Sequence, residues 1–227
     1  MHLTIREVAQ LCRVGERTVY RWVQEEGLPA ETVNGTTRVN PPELLEWATA
    51  RNLPVSPFIF RKMNGGSVGP TGLADALERG GVVRDVPGDD RESALAAVVG
   101  SLPLPDGFDR PSLVQLLLAR EHLGSTAVGD GIAIPHPRKP VALPGARRVA
   151  RLCFLARPLD FAAADGRPVH TLFVLVSPTV REHLQLLAHL AAVLRDDSFR
   201  RLLRDRPAAE VILSEVRRLE QSFHERT

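Results

Sequence analysis

Between residues 54 and 71 the chain carries Pro54, Pro57, Gly65, Gly66, Gly69 and Pro70. That density breaks helices and strands alike. Proline lacks the amide that both elements use, and glycine loses the most backbone entropy on ordering. The 227 residues are therefore expected to fold as two bodies, residues 1–53 and 72–227, joined by a linker over 54–71. The apolar triplet Phe58-Ile59-Phe60 interrupts the linker and is expected to pack on one of them.

Composition adds only bounds. With 44% hydrophobic and 25% charged residues the chain reads as an ordinary soluble globular protein. A formal net charge of +2 is too small to imply a partner. No apolar run approaches the length of a membrane span, and Met1 to Glu7 lacks the layout of a signal peptide. Cys12 and Cys153 have no metal-type spacing, and their apolar neighbours suggest buried thiols. A cytoplasmic setting is the expectation, with no membrane insertion and no metal or other cofactor.

In the first body, Thr4 and Glu7 are spaced as a capping box, each side chain answering amides at a helix start. Val8, Ala9, Leu11 and Cys12 follow as the apolar side of a short helix, which Arg13-Val14-Gly15 breaks. A second helix is predicted over about 16–23, with Val19, Trp22 and Val23 inward. Asn34-Gly35 between short β-prone runs predicts a hairpin, and a third helix begins near Pro41. Helix, short turn, helix is the layout of a helix-turn-helix.

The second body alternates patterns. Helices are predicted over about 73–78, 90–102, 109–122, 199–204 and 208–219. Residues 81–86, 149–155 and 169–176 read as strands, and Thr179 to Glu182 as a second capping box opening another helix. Mixed strands and helices predict an α/β (α+β) fold. After the helix ending at His122, three glycines (Gly124, Gly129, Gly131) punctuate a small-residue loop. The apolar run Ile132-Ala133-Ile134 then delivers Pro135 and His136.

The order Arg120-Glu121, Ser125-Thr126, then Gly131-Ile132-Ala133-Ile134-Pro135-His136 resembles the active-site region of phosphotransferase-system enzyme IIA domains of the fructose/mannitol type. Those domains include a nitrogen-regulatory branch. The resemblance runs from about Leu73 to the C-terminus. It implies an enzyme IIA-like mixed sheet flanked by helices, with His136 accepting a phosphoryl group from an HPr-like phosphocarrier. Arg120 matches the family's active-site arginine, and His183 in Arg181-Glu182-His183-Leu184 matches a second active-site histidine. An enzyme IIB or a regulatory target is the implied onward partner. Arg120 would offer a planar fork to phosphate oxygens, or merely cap its own helix. Ser125 and Thr126 would bind phosphate through their hydroxyls, or only shape the turn. His122, His170 and His189 have no motif behind them and read as structural. Pro137 stands where the family often has glycine, which removes one backbone amide beside the nucleophile.

The first body is similar to the winged helix-turn-helix of the MerR/excisionase type. By that resemblance residues 16–23 form a recognition helix carrying Arg17, Thr18 and Arg21 toward DNA, with Arg38 on the wing. Against this stand six arginines and seven glutamates in residues 1–55, where a DNA reader is usually basic. Three readings stay open: a phosphotransfer protein coupled to DNA binding, a protein-docking adaptor with a phosphorelay domain, and a transcription regulator with an unphosphorylated sensor domain.

Overall fold

The structure is a computed structural model that describes residues 2–33, 35–51, 53, 72–141 and 148–225. The linker, with its Phe58-Ile59-Phe60 triplet, and Asn34 lie outside the described residues. Two compact units are present, Met1–Gly69 and Pro70–Thr227.

The N-terminal unit begins with a strand too short to announce itself in sequence, β1 (Leu3–Thr4). Helix α1 (Ile5–Cys12) follows, and Thr4 and Glu7 form the capping box that the spacing predicts. The break after α1 is made by Arg13, which takes the left-handed conformation at φ 55°, while Gly15 stays extended as the N-cap of α2 (Glu16–Glu25). Strands β2 (Glu31–Val33) and β3 (Thr36–Val39) pair antiparallel, and Gly35 turns between them at φ 73°. β1 adds to the other edge of β3, opposite Val39 and Arg38. Helix α3 (Pro41–Ala50) closes the unit. Its Trp47 ring lies 5.0 Å from that of Trp22 and donates from Nε1 to the carbonyl of Glu26. Val23 is only half-buried, at the rim of this core.

The C-terminal unit is a four-stranded mixed sheet between two helical layers. Its elements run α4 (Leu73–Gly80), β4 (Val82–Val86), α5 (Arg91–Ser101), α6 (Arg110–His122), β5 (Ile132–Ala133), β6 (Val149–Leu159), β7 (Val169–Val176), α7 (Val180–Val193), α8 (Asp197–Arg204) and α9 (Ala209–Glu225). The strand order is β4-β6-β7-β5. β6 and β7 are antiparallel, while β4 runs parallel to β6 and β5 parallel to β7. Alternation along β6 divides the core as period-two geometry requires. Val149, Cys153 and Leu155 join the α5–α6 side, and Ala150, Leu152 and Phe154 the side of α4, α7, α8 and α9. Both thiols are buried, and desolvation pushes Cys12 up to about 11 and Cys153 up to about 12.

Helix starts follow their caps. Asp90 caps α5 and Asp109 caps α6. The predicted capping box at α7 is only half made. Thr179 accepts from the Glu182 amide, but the Glu182 carboxylate accepts a hydrogen bond from the Thr179 hydroxyl at 2.9 Å and does not return to the cap's backbone. Helix α4 has no side-chain cap of its own. Its first amides, Leu73 and Ala74, donate instead to the Glu220 carboxylate of α9 at 2.6 and 3.2 Å. That carboxylate also meets His189 of α7 at 2.6 Å.

Candidate functional site

Parallel pairing of β5 with β7 brings their C-terminal ends to one edge of the sheet. That edge is where open α/β sheets place their ligands. The chain leaving β5 carries Ile134, Pro135 and His136, and the Pro135 carbonyl accepts from the Leu175 amide. The chain leaving β7 enters α7, whose first turn carries His183. The two imidazoles meet there, with ring centroids 5.1 Å apart and planes tilted by 44°. Both are almost wholly enclosed, at 1% and 3% exposure.

The backbone fixes which face of His136 is available. Its Nδ1 lies 2.6 Å from the Ile134 carbonyl. A carbonyl can only accept, so Nδ1 carries the proton and Nε2 keeps its lone pair. The same shell holds the ring neutral. Burial first, then the Arg120 guanidinium, pull His136 down to about 4, against smaller opposing effects from Ile134 and Glu121. Burial, then His136 and Arg120, pull His183 down to about 3. His183 Nε2 has no hydrogen-bond partner among the described residues.

Arg120 reaches this site from the last turn of α6. Its Nη1 donates to the Gly124 carbonyl at 2.9 Å, so it braces the loop while its charge acts on both rings. Ser125 donates to the Phe161 carbonyl at 2.5 Å and accepts from the Ala127 amide. The Thr126 hydroxyl donates a hydrogen bond to Glu121 at 2.6 Å, and its amide also donates to that carboxylate. Both hydroxyls are thus engaged in holding the loop's shape. Glu121, buried at 4% exposure, belongs to the loop of the candidate site and was missed by sequence reasoning. Its only signal was adjacency to Arg120. Pro137 is buried and Arg138 exposed beside it.

The loop's glycines have separate reasons. Gly131 sits at φ 73°, and a Cβ there would lie 2.4 Å from the His170 ring. His170 itself stands at the start of β7, where its amide donates to the Gly131 carbonyl. It supports the loop at the opposite end of the strands from His136.

In the N-terminal unit Arg17 and Arg21 are exposed on α2, and Thr18 is half-buried. Arg21 is tied to Glu26, Nε to Oε1 at 3.1 Å. Arg38 is half-buried on β3, opposite Glu31 in register. Tyr20, 46% exposed, shares the outer side of α2 and was not singled out from sequence. Among the described residues no cluster of three metal-ligating side chains occurs, and no helix is long and apolar enough to cross a membrane.

Comparison with known proteins identifies both units. Residues 76–218 match the family described as phosphoenolpyruvate-dependent sugar phosphotransferase system, EIIA 2, and residues 3–52 match a helix-turn-helix domain. A nitrogen regulatory protein from Pseudomonas aeruginosa is 39% identical over 145 residues, spanning 62% of this chain and 91% of that protein. One from Bradyrhizobium diazoefficiens is 36% identical over 129 residues, 56% of this chain and 82% of the relative. The crystal structure of the nitrogen regulatory protein IIA-Ntr from Neisseria meningitidis superposes with a TM-score of 0.53 at 29% identity, covering 60% of this chain and 92% of that one. The match over well more than half of its length places this chain in the EIIA 2 family of the phosphoenolpyruvate-dependent sugar phosphotransferase system, with a helix-turn-helix domain ahead of the EIIA domain.

Proposed function

We propose that His136 accepts a phosphoryl group on Nε2 from an HPr-like phosphocarrier, and that the phosphorylation state acts on DNA binding by the N-terminal unit. The observation that carries the first half is the 2.6 Å contact between His136 Nδ1 and the Ile134 carbonyl. It gives the ring one defined nucleophilic nitrogen, and burial beside Arg120 keeps that nitrogen unprotonated at neutral pH. Phosphoryl transfer asks mainly for positioning and charge stabilisation. Nε2 attacks phosphorus, the carrier atom that held the phosphoryl group leaves with the bond pair, and Arg120 offsets the charge on the phosphoryl oxygens. His183 Nε2, buried and unpartnered among the described residues, is a donor or acceptor for those oxygens according to its tautomer. Ser125, Thr126 and Glu121 act behind this set by fixing the loop. Pro137 supplies no amide, so Arg138 is the candidate for a further contact at the rim.

The test is to incubate the chain with phosphoenolpyruvate, enzyme I and HPr, or their nitrogen-branch counterparts, and measure acid-labile phosphate. Labelling should be stoichiometric and absent in His136→Ala. Full labelling of that variant overturns the assignment.

A second reading has its own observation. Arg21 is already paired with Glu26, and residues 1–55 hold more glutamates than arginines. Those features suit a protein-docking face on α2, which makes the chain an adaptor with a phosphorelay domain. Selection against random duplexes separates the two readings: a recovered consensus supports DNA, and no enrichment supports the adaptor.

A further inference from the structure

Besides His183 Nε2, three side chains of the C-terminal unit hold buried polar atoms with no partner among the described residues: Arg148 Nε, Arg79 Nη2 and Ser177 Oγ. Register brings two of them together. Val149 pairs with Val176, so Arg148 and Ser177 are the next residues out at the same end of the β6–β7 ribbon. Two positions further in, Ala150 and Leu175 belong to the core against α4, α7 and α9. The period-two alternation therefore turns Arg148 and Ser177 to that layer.

Arg79, from the last turn of α4, comes to the same place. Its Nε donates to the Arg148 carbonyl at 3.1 Å. Arg148 is held from the other side, donating from Nη1 to Gln185 of α7 at 2.8 Å. Its exposure is 3%, and that of Ser177 is 2%, whereas Arg79 and Gln185 are half-exposed and form a rim. Two guanidiniums thus converge with like charge. Glu182, Glu220 and Asp75 are close enough to favour the Arg148 charge, but no ion pair joins a carboxylate to Arg148 or Arg79 among the described residues. Buried guanidinium nitrogens left without an acceptor are costly. Two guanidiniums and a hydroxyl gathered at one end of the β6–β7 ribbon are the donor types of an oxyanion site.

We propose that Arg148, Arg79 and Ser177 bind one small oxyanion of the phosphate, sulfate or carboxylate type, at a site that does not use His136. The guanidiniums supply the charge and planar donors, Ser177 supplies a hydroxyl, and entry is over the Arg79–Gln185 rim. The site joins α4, β6 and α7, so the bound anion ties the first helix of the domain to the helix that carries His183.

The test uses the full chain and inorganic sulfate, titrated calorimetrically at constant ionic strength against chloride. One saturable binding event per chain is expected. It should survive Arg120→Ala, which disables the phosphoryl-site cation, and weaken at least tenfold in Arg148→Gln and in Arg79→Gln. Ser177→Ala should weaken it severalfold. Circular dichroism checks the fold of each variant, and if Arg148→Gln does not fold, Arg79→Gln and Ser177→Ala decide. Binding that vanishes with Arg120→Ala and persists in Arg79→Gln belongs to the phosphoryl site and overturns the proposal, as does a titration that never saturates.

Discussion

Two histidines kept neutral by burial leave the candidate site vulnerable in acid. An unfolded histidine titrates near 6.5, whereas His136 in the fold titrates at about 4. Between those values the unfolded chain binds the extra proton and the folded one refuses it. Stability is therefore intact above about pH 6.5 and falls as pH drops toward 4, by about 3 kcal/mol for this ring. Melting temperatures measured from pH 7 to 4 should fall more steeply in the native protein than in His136→Gln; parallel curves would refute the neutral buried ring. Arg120 acts in the same sense as burial. Its charge helps hold both rings deprotonated, and in the proposed transfer it would contact the phosphoryl oxygens. Arg120→Ala should slow single-turnover labelling more than tenfold, the scale of losing one such contact. An unchanged rate would leave loop brace, through Gly124, as its whole role.

At the scale of elements, the two-residue strand β5 delivers His136 to the candidate site, and Gly131 sets its entry. Alanine there has to adopt a positive φ and push into the His170 ring. Gly131→Ala should destabilise the C-terminal unit by about 1–3 kcal/mol and reduce labelling, because β5 and β7 no longer end in register. Urea midpoints and labelling rates measured together check both halves. Legibility follows the same division between local and distant causes. Thr4, Asp90 and Asp109 mark helix starts in sequence because a cap is a contact across three residues. Strand β1 is too short for alternation to register, and it exists only because β3 offers it an edge. The cap of α4 comes from Glu220, 147 residues away, which no local pattern announces. Within the site, Arg120, His136 and His183 are recognisable as an ordered motif. The tautomer set by Ile134 and the Glu121–Thr126 clasp depend on how the loop closes, and residue order does not contain that.

For the whole molecule, the question is whether an event at His136 reaches DNA. A phosphorylated side chain carries roughly −1.5 to −2 charges near neutral pH. The helix-turn-helix unit has no positive surplus with which to absorb it, since residues 1–55 hold six arginines against seven glutamates. Coupling needs two conformations of the chain, with phosphorylation favouring one of them. A coupling free energy of about 1–3 kcal/mol corresponds to a change in DNA affinity of roughly 5- to 150-fold. The prediction is that a duplex recovered by selection binds phosphorylated and unmodified protein with affinities that differ by at least fivefold at one salt concentration. Arg17→Ala should weaken both titrations and lower the salt slope by about one. Arg21→Ala should weaken them less, because Arg21 is shared with Glu26 and its removal also leaves that carboxylate facing the phosphates. Equal affinities in the two states would separate the phosphorelay from the DNA reader, and the phosphoryl group would then act on a protein partner.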